Sequence, residues 1–240
     1  MEYLVHGDLC FSTAPRHIET MEASYLHVKD GKCISCYKEL PKALSSLEIK
    51  DYSGNLIIPG MVDLHLHAPQ YAYRGTKMDL PLLDWLNSNT FPEEAKYEDM
   101  NYAKAAYENF VEDLKESPTT RAVIFATLHK EATLCLMDLL EKSGLETMVG
   151  KVNMDRNSPD YLTEHSAEES LKNTVNWLEE IPQDYQHCHP ILTPRFTPTC
   201  SDTLMEGLGK LMRERNLPLQ SHLSENKAEI EWVKELCPDA

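Results

Sequence analysis

The chain has 240 residues and a formal net charge of −16, because 39 acidic residues outnumber 23 basic ones. Hydrophobic residues make up 42% of it, which is enough for one large domain or two modest domains with an apolar core. Nucleic acids and anionic membranes are bound by clustered Lys and Arg, and no such cluster interrupts this acidic composition. The composition therefore excludes both partners and favours a small neutral substrate.

The cysteines and the N-terminal residues predict a cytoplasmic protein. The seven cysteines are odd in number and irregularly spaced, which is typical of reduced thiols and not of a disulfide framework. No segment approaches the ~20 apolar residues that span a bilayer. The first residues, MEYLVHGDLCFS, have neither the basic nor the apolar segment of a signal peptide.

Residues 1–58 predict a small β unit. Short runs of alternating apolar residues are broken by turn signals at Lys29-Asp30-Gly31 and Ser53-Gly54. No helical period is sustained in this region, so we expect antiparallel strands that form a portion of a small β-sandwich.

After Pro59, strand-like runs alternate with segments of helical period. The predicted strands are Ile58–Leu66, Arg121–Leu128, Thr147–Met154, Ile191–Phe196 and Leu217–Leu223. The predicted helices are Glu93–Lys115, Lys130–Lys142, Ala167–Glu179, Asp202–Glu214 and Asn226–Leu236. Steady alternation of this kind predicts a parallel sheet with right-handed crossovers, either doubly wound or part of a barrel.

Polar residues lie where each of these apolar runs ends. They are His65 and His67, His129, Asp155, Arg195 and His222. Active sites of βα folds lie at the carboxyl edge of the sheet, so we expect a functional site there.

His65 and His67 are the strongest candidates for metal ligands. Side chains alternate along a strand, so both imidazoles point to the same side and can reach one metal at ~2.0–2.1 Å. A bare His-x-His pair is more often a half-exposed strand. Here Pro59-Gly60, Val62-Asp63 and an apolar strand precede the pair and favour the metal interpretation.

The stretch from Pro59 to His67 has the pattern Pro-Gly-x-Val-Asp-x-His-x-His, and it resembles the first barrel strand of the amidohydrolase superfamily. The segment His67-Ala68-Pro69-Gln70 is similar to the guanine deaminase branch of that superfamily. Thr193-Pro194-Arg195-Phe196 and the segment His222–Asn226 agree with the same branch, and the resemblance runs in order along essentially the whole chain. It implies an α/β fold, an incomplete (β/α)8 TIM-type barrel of about five βα units in residues 59–240, preceded by the small β unit of residues 1–58.

The resemblance also implies a reaction and a set of site residues. The activity would be zinc-dependent hydrolysis of guanine to xanthine and ammonia, in a protein that forms a homodimer. His65, His67 and His222 would be the first three ligands of one zinc ion, and Glu225 would shuttle protons as the catalytic residue. Gln70 and Arg195 would hold the purine, and Phe196 would pack beside it.

Part of the family's metal site has no counterpart in this sequence. In the family a fourth histidine follows the sixth strand and an aspartate follows the eighth, whereas five strands are predicted here. Asp239 follows a predicted helix and is a poor substitute for that aspartate. The resemblance therefore implies an N-terminal portion that could be inactive as it stands.

Two other functions stay open at this point. One is a related amidohydrolase that acts on another heterocycle, against which Gln70, Arg195 and Phe196 argue. The other is a non-catalytic remnant that binds a purine or a partner chain. Zinc content and turnover would separate this remnant from an enzyme.

Three further motifs are interpreted as unrelated to the site. His17-Ile18-Glu19 with Cys33 and Cys36 is similar to the other class of zinc deaminase, but Lys32 replaces its proline and only residues 20–32 separate the two halves. His187-Cys188-His189 precedes a predicted strand, at the end opposite to Arg195, and is expected to be a polar loop. Lys151 is expected to be structural or to lie just behind the metal ligands.

Overall fold

The computed structural model describes residues 1–238, and the chain divides into two compact units with a boundary between Gly60 and Met61. This boundary lies two residues after the predicted one. Asp239 lies outside the described residues. No helix within the described part of the chain has the length and apolar character needed to cross a membrane.

The first unit is one four-stranded sheet with the strand order β3-β2-β1-β4. Its strands are β1 (Glu2–Ala14), β2 (His17–Lys29), β3 (Lys32–Tyr37) and β4 (Ile49–Ile57). A tight turn with positive φ at Asp30 and Gly31 joins the antiparallel pair β2 and β3. The expectation of a purely antiparallel unit was wrong, because β4 pairs parallel to β1 after the longer connection of residues 38–48. No second sheet faces this one among the described residues of the unit.

The second unit contains a parallel sheet with the order β5-β6-β7-β9 and a separate short parallel pair, β8 and β10. The strands are β5 (Met61–His67), β6 (Thr119–Phe125), β7 (Glu146–Gly150), β8 (Val152–Asn153), β9 (Cys188–Pro190) and β10 (Thr193–Pro194). All three pairings in the larger sheet are parallel. The predicted α/β class with a parallel sheet is confirmed.

The prediction of a regular strand at Leu217–Leu223 was wrong. The segment makes a single parallel bridge, between Leu192 and Leu219. Pro218 lacks an N–H and so cannot donate to a ladder, although its carbonyl accepts from Leu192. The segment still runs alongside residues 192–195. Gln220 N–H donates to the Leu192 carbonyl, and His222 N–H donates to the Arg195 carbonyl.

Seven α-helices occur within the described part of the second unit. They are α1 (Leu82–Trp85), α2 (Phe91–Glu94), α3 (Met100–Glu116), α4 (Lys130–Ser143), α5 (Ala167–Glu180), α6 (Asp202–Arg215) and α7 (Lys227–Leu236). The single helix predicted at Glu93–Lys115 was wrong, because the Asp99 side chain accepts from Asn101 N–H and starts α3 at Met100. Ser166, Ser201 and Asn226 cap α5, α6 and α7 in the same manner.

The core of the second unit lies between the parallel sheet and helices α3, α4 and α5. Apolar residues of these helices, such as Phe110, Leu136 and Trp177, are fully or almost fully buried against Ile124 and Val149 of the sheet. Burying side chains of this size supplies about 1.5–3 kcal/mol each. The carboxyl ends of β5, β6 and β10 are thereby held in place, and the predicted site residues lie there.

Candidate active site

Three histidine rings from two distant parts of the chain meet at the carboxyl edge of the sheet. His65 and His67 come from the end of β5, and His222 comes from the segment after the Leu219 bridge. One ligand atom from each ring lies within 4.8 Å of the others. The Nε2 atoms of His67 and His222 are 2.9 Å apart, a distance at which two ring nitrogens need a proton or a cation between them.

Phe125, the last residue of β6, packs against all three rings. Its ring centroid lies 5.1 Å from that of His65, 4.5 Å from that of His67 and 4.6 Å from that of His222. Phe125 and His67 are register partners on β6 and β5, which explains their stacking. This residue was not predicted as part of the site, because in the sequence it is one apolar residue in a buried strand.

The hydrogen bonding of His222 prepares its ring for a metal. Its Nδ1 donates to the Arg195 carbonyl at 2.6 Å, which leaves Nε2 on the side of His67. Burial lowers the pKa of His222 to about 4, and the positive charge of Arg195 adds to this effect. Burial also lowers the pKa of His67 well below its ordinary value, with the charge of Arg195 again contributing. Both rings are therefore neutral near pH 7, and neutral imidazole is the form that binds metal ions.

The three histidines open onto a cavity of about 650 Å³. All seven predicted site residues line it: His65, His67, Gln70, Arg195, Phe196, His222 and Glu225. Trp85 lies in the same wall, and its Nε1 donates to the Thr76 carbonyl at 3.1 Å. The volume is within the range of small-molecule sites, about 300–1,000 Å³.

Arg195 follows β10 directly and is buried in an ion pair that the sequence did not reveal. Its two terminal nitrogens donate to the two carboxylate oxygens of Glu94, at 2.6 and 3.0 Å. Arg195 is 2% exposed and Glu94 is 1% exposed, and the guanidinium lies over the Phe91 ring at 5.0 Å. This burial distinguishes the pair from a surface salt bridge. Glu94 lies 101 positions away, so nothing in the local pattern identifies it as the partner.

Arg195 connects the cavity wall with the histidine cluster. Its side chain lines the cavity, while its backbone carbonyl accepts hydrogen bonds from Nδ1 and from the N–H of His222. Any group that binds the guanidinium is therefore held next to the histidine cluster.

Glu225 is exposed and follows His222 by three residues, after Ser224 with a φ of 56°. The buried carboxylate of Glu229 accepts hydrogen bonds from the backbone N–H groups of Ser224 and Glu225. Sequence reasoning assigned no role to Glu229. A signal was present in the spacing Asn226-x-x-Glu229, which is typical of a reciprocal helix cap.

In the second unit, the histidines and the lysine interpreted as unrelated have other partners. His187 pairs with Glu146 at 2.8 Å on the surface, and the metal-ligand cluster found among the described residues contains neither His187 nor His189. The expected polar loop was wrong for Cys188 and His189, which belong to β9. Lys151 is fully buried and pairs with Glu164 at 2.7 Å.

Comparisons with known proteins agree with this geometry. The signature of the Amidohydrolase family matches residues 56–239. Guanine deaminase from Rattus norvegicus is 43% identical to this chain over 247 aligned positions, which cover 98% of the chain and 54% of that protein. Guanine deaminase from Homo sapiens is 38% identical over 250 positions, which cover 99% and 55%.

A solved structure is similar over the whole chain. The crystal structure of guanine deaminase from C. acetobutylicum, with guanine bound in its active site, has a TM-score of 0.96 and 46% sequence identity, and the match covers 100% of this chain and 57% of that one. The chain thus spans about half the length of the relatives that it matches.

Proposed function

The chain belongs to the amidohydrolase family, and we propose that it serves the zinc-dependent hydrolysis of guanine to xanthine and ammonia. The observation that carries this proposal is a cavity lined by three clustered histidines, by Glu225 and by the polar side chains of Gln70 and Arg195. The similarity to guanine deaminases of several organisms supports it.

The cavity wall suits guanine. The Arg195 guanidinium has five N–H donors, of which Glu94 accepts two, and the others can donate to the carbonyl oxygen of the purine. Gln70 offers an amide that both donates and accepts, and Phe196 provides an apolar ring beside the base. A site built from such groups rejects analogues that leave them unpaired.

The histidine cluster fits a zinc ion. Imidazole nitrogens are common zinc ligands, and the approach of His67 Nε2 to His222 Nε2 is that of two ligands directed at one cation. His65, His67 and His222 would hold the ion. Zinc supplies Lewis acidity, which makes water a usable nucleophile near neutral pH.

Glu225 is proposed to move the protons of the reaction. It lies in the cavity wall three residues after His222, and it takes a proton from the attacking water. It delivers this proton to a ring nitrogen of guanine, and it then moves the second proton of the water from the new hydroxyl to the amino group, which leaves as ammonia. The oxygen of the water becomes the new carbonyl oxygen of xanthine, so that guanine and water give xanthine and ammonia.

The finer description of the fold is also a proposal. We propose that the parallel sheet of the second unit belongs to a (β/α)8 TIM-type barrel, which the site at the carboxyl ends of its strands supports. Cytoplasmic location and a homodimer stay predictions.

The test is conversion of guanine to xanthine by the natural protein, measured with and without added zinc and after treatment with a chelator. We expect turnover that follows zinc content and that falls about 10²–10⁴-fold in Glu225→Gln while zinc is retained. His187→Gln is the matched control, since this surface histidine lies outside the cluster and its replacement should change neither zinc content nor turnover. The proposal would be overturned if the zinc-loaded protein neither bound nor hydrolysed guanine. Hydrolysis of another heterocycle in its place would favour the related amidohydrolase.

A further inference from the structure

A buried carboxylate lies directly behind the loop that carries Glu225. Glu229 is 2% exposed, and its Oε2 accepts from the Glu225 N–H at 2.7 Å while its Oε1 accepts from the Ser224 N–H at 3.0 Å. No cation pairs with this carboxylate among the described residues. Its charge is held by these two peptide N–H groups and by its place in the first turn of α7, where the helix dipole favours a negative charge.

These two hydrogen bonds hold a backbone conformation that is costly for Ser224. A serine with a φ of 56° lies in the left-handed region, where a residue with a Cβ is disfavoured by about 1 kcal/mol or more. The turn at Ser224 sets the direction of the chain between His222 and Glu225. The bonds from Glu229 therefore stabilise the turn that brings the glutamate side chain back to the cavity.

The contacts of Glu229 exceed what the helix alone requires. The Asn226 side chain already caps α7 by accepting from the Glu229 N–H at 3.0 Å. The Glu229 carboxylate bonds to the loop in front of the helix, at the amide of the residue proposed to shuttle protons. Proton transfer requires hydrogen-bond distances between the reacting groups, and a shift of 1 Å can cost about 10²-fold in rate.

We propose that Glu229 is a positioning residue, which fixes the direction of the Glu225 carboxylate through the amides of Ser224 and Glu225. This inference rests on the proposed function, since it deepens the role given to Glu225. Glu229 acts without contacting the substrate, because it is buried behind the loop.

The variant Glu229→Gln tests the inference, because an amide keeps the size of the side chain but replaces one acceptor oxygen by a donor. We expect kcat for guanine to fall about 10- to 100-fold, with KM for guanine and zinc content unchanged. Glu231→Gln is the matched control on the same helix, because the exposed Glu231 side chain has Lys234, at 2.8 Å, as its one partner within residues 1–238. An unchanged kcat in Glu229→Gln, or a loss of zinc together with kcat, would overturn the inference.

A double-mutant cycle separates positioning from a general structural effect. If Glu229 acts through Glu225, Glu229→Gln should have little further effect on kcat in a Glu225→Gln background. Equal losses in both backgrounds would contradict the inference. If Glu229→Gln does not fold, Glu229→Asp takes its place in the cycle under the same criteria, since it keeps the charge and shortens the reach.

The failure of the proposed function would be seen in the wild-type protein, as absence of xanthine formation. In that case hydrogen exchange at the amides of Ser224 and Glu225 decides the inference. We expect faster exchange at these two amides in Glu229→Gln, with the amides in the middle of α7 unchanged. Equal exchange in the variant and the wild type would overturn the inference.

Discussion

Two ion pairs in the second unit are almost fully buried and differ in their surroundings. Lys151 and Glu164 are joined at 2.7 Å, and Lys151 donates a second bond to the Val152 carbonyl at 3.1 Å. Glu164 also accepts from Ser170 and from Asn173, so hydrogen bonds surround this pair within the protein. We call it the closed pair.

Arg195 and Glu94 are also almost fully buried, but Arg195 lines the cavity. Within the described residues, Glu94 is the one acceptor for the Arg195 side chain, and three of its five N–H donors have no protein partner. We call it the cavity pair. The difference teaches that burial of a charge does not identify a binding residue. Hydrogen-bond donors that have no protein partner and lie at the wall of a cavity are what identifies one.

Breaking the closed pair should have the largest effect, and it should be on stability. Lys151→Met leaves the Glu164 carboxylate buried without its cation, which should lower the free energy of unfolding by about 3–5 kcal/mol in urea. Lys151→Met with Glu164→Gln should recover part of this loss. Lys130→Met is the surface control, because solvent screens the partly exposed Lys130–Glu180 pair and its loss should change stability much less. Equal losses of stability in Lys151→Met and Lys130→Met would contradict a stabilising role that is specific to the closed pair.

Breaking the cavity pair should change ligand binding as well as stability. Arg195→Met removes charged hydrogen-bond donors worth about 1.5–3 kcal/mol, so the Kd for guanine should rise about 10- to 100-fold. The preference for guanine over adenine should narrow, because adenine presents an amino group where guanine has its carbonyl. The double variant Arg195→Met with Glu94→Gln should regain stability without regaining affinity. Affinity within a few-fold of wild type would show that Arg195 is not a substrate contact.

The stabilisation that added guanine gives should also distinguish the two pairs, and this effect should be smaller than the effects of the two substitutions themselves. A ligand at ten times its Kd stabilises a protein by about 1.4 kcal/mol, since the gain equals RT ln(1 + [L]/Kd). We expect the same gain in wild type and in Lys151→Met, and about 0.4 kcal/mol or less in Arg195→Met at that guanine concentration. Thermal unfolding with and without guanine measures it. Loss of the gain in Lys151→Met would place the closed pair in the binding site.

The smallest expected effect is a pH dependence at His129, next to the closed pair. Burial lowers the pKa of His129 below 6.5, and the charge of Lys151 adds to this, although Glu98 opposes it. The unfolded chain therefore takes up a proton first, so stability falls as the pH drops below about 6.5 toward the lower folded-state pKa. His129→Gln should flatten this part of the stability curve. His189→Gln, at an exposed position, is the control, and equal curves for His129→Gln and wild type would refute the prediction.

The sequence alone determined the local part of the site. His65 and His67 fall on one side of β5 because side chains alternate along a strand, and the motif around them identified the family. Helices with clear caps and apolar faces were predicted to within a few residues, as for α4, α5 and α6. These features depend on residues that are close together in the chain.

The tertiary structure decided the partners of these residues. Glu94 meets Arg195 across 101 positions, and Phe125 meets three histidines because the pairing of β6 with β5 places it opposite His67. Glu229 binds the Glu225 amide because Ser224 turns the chain back toward α7. Burial and hydrogen-bond partners depend on where distant elements cross. Local spacing can identify a side chain that is able to bind, whereas packing sets which of its donors remain free to do so.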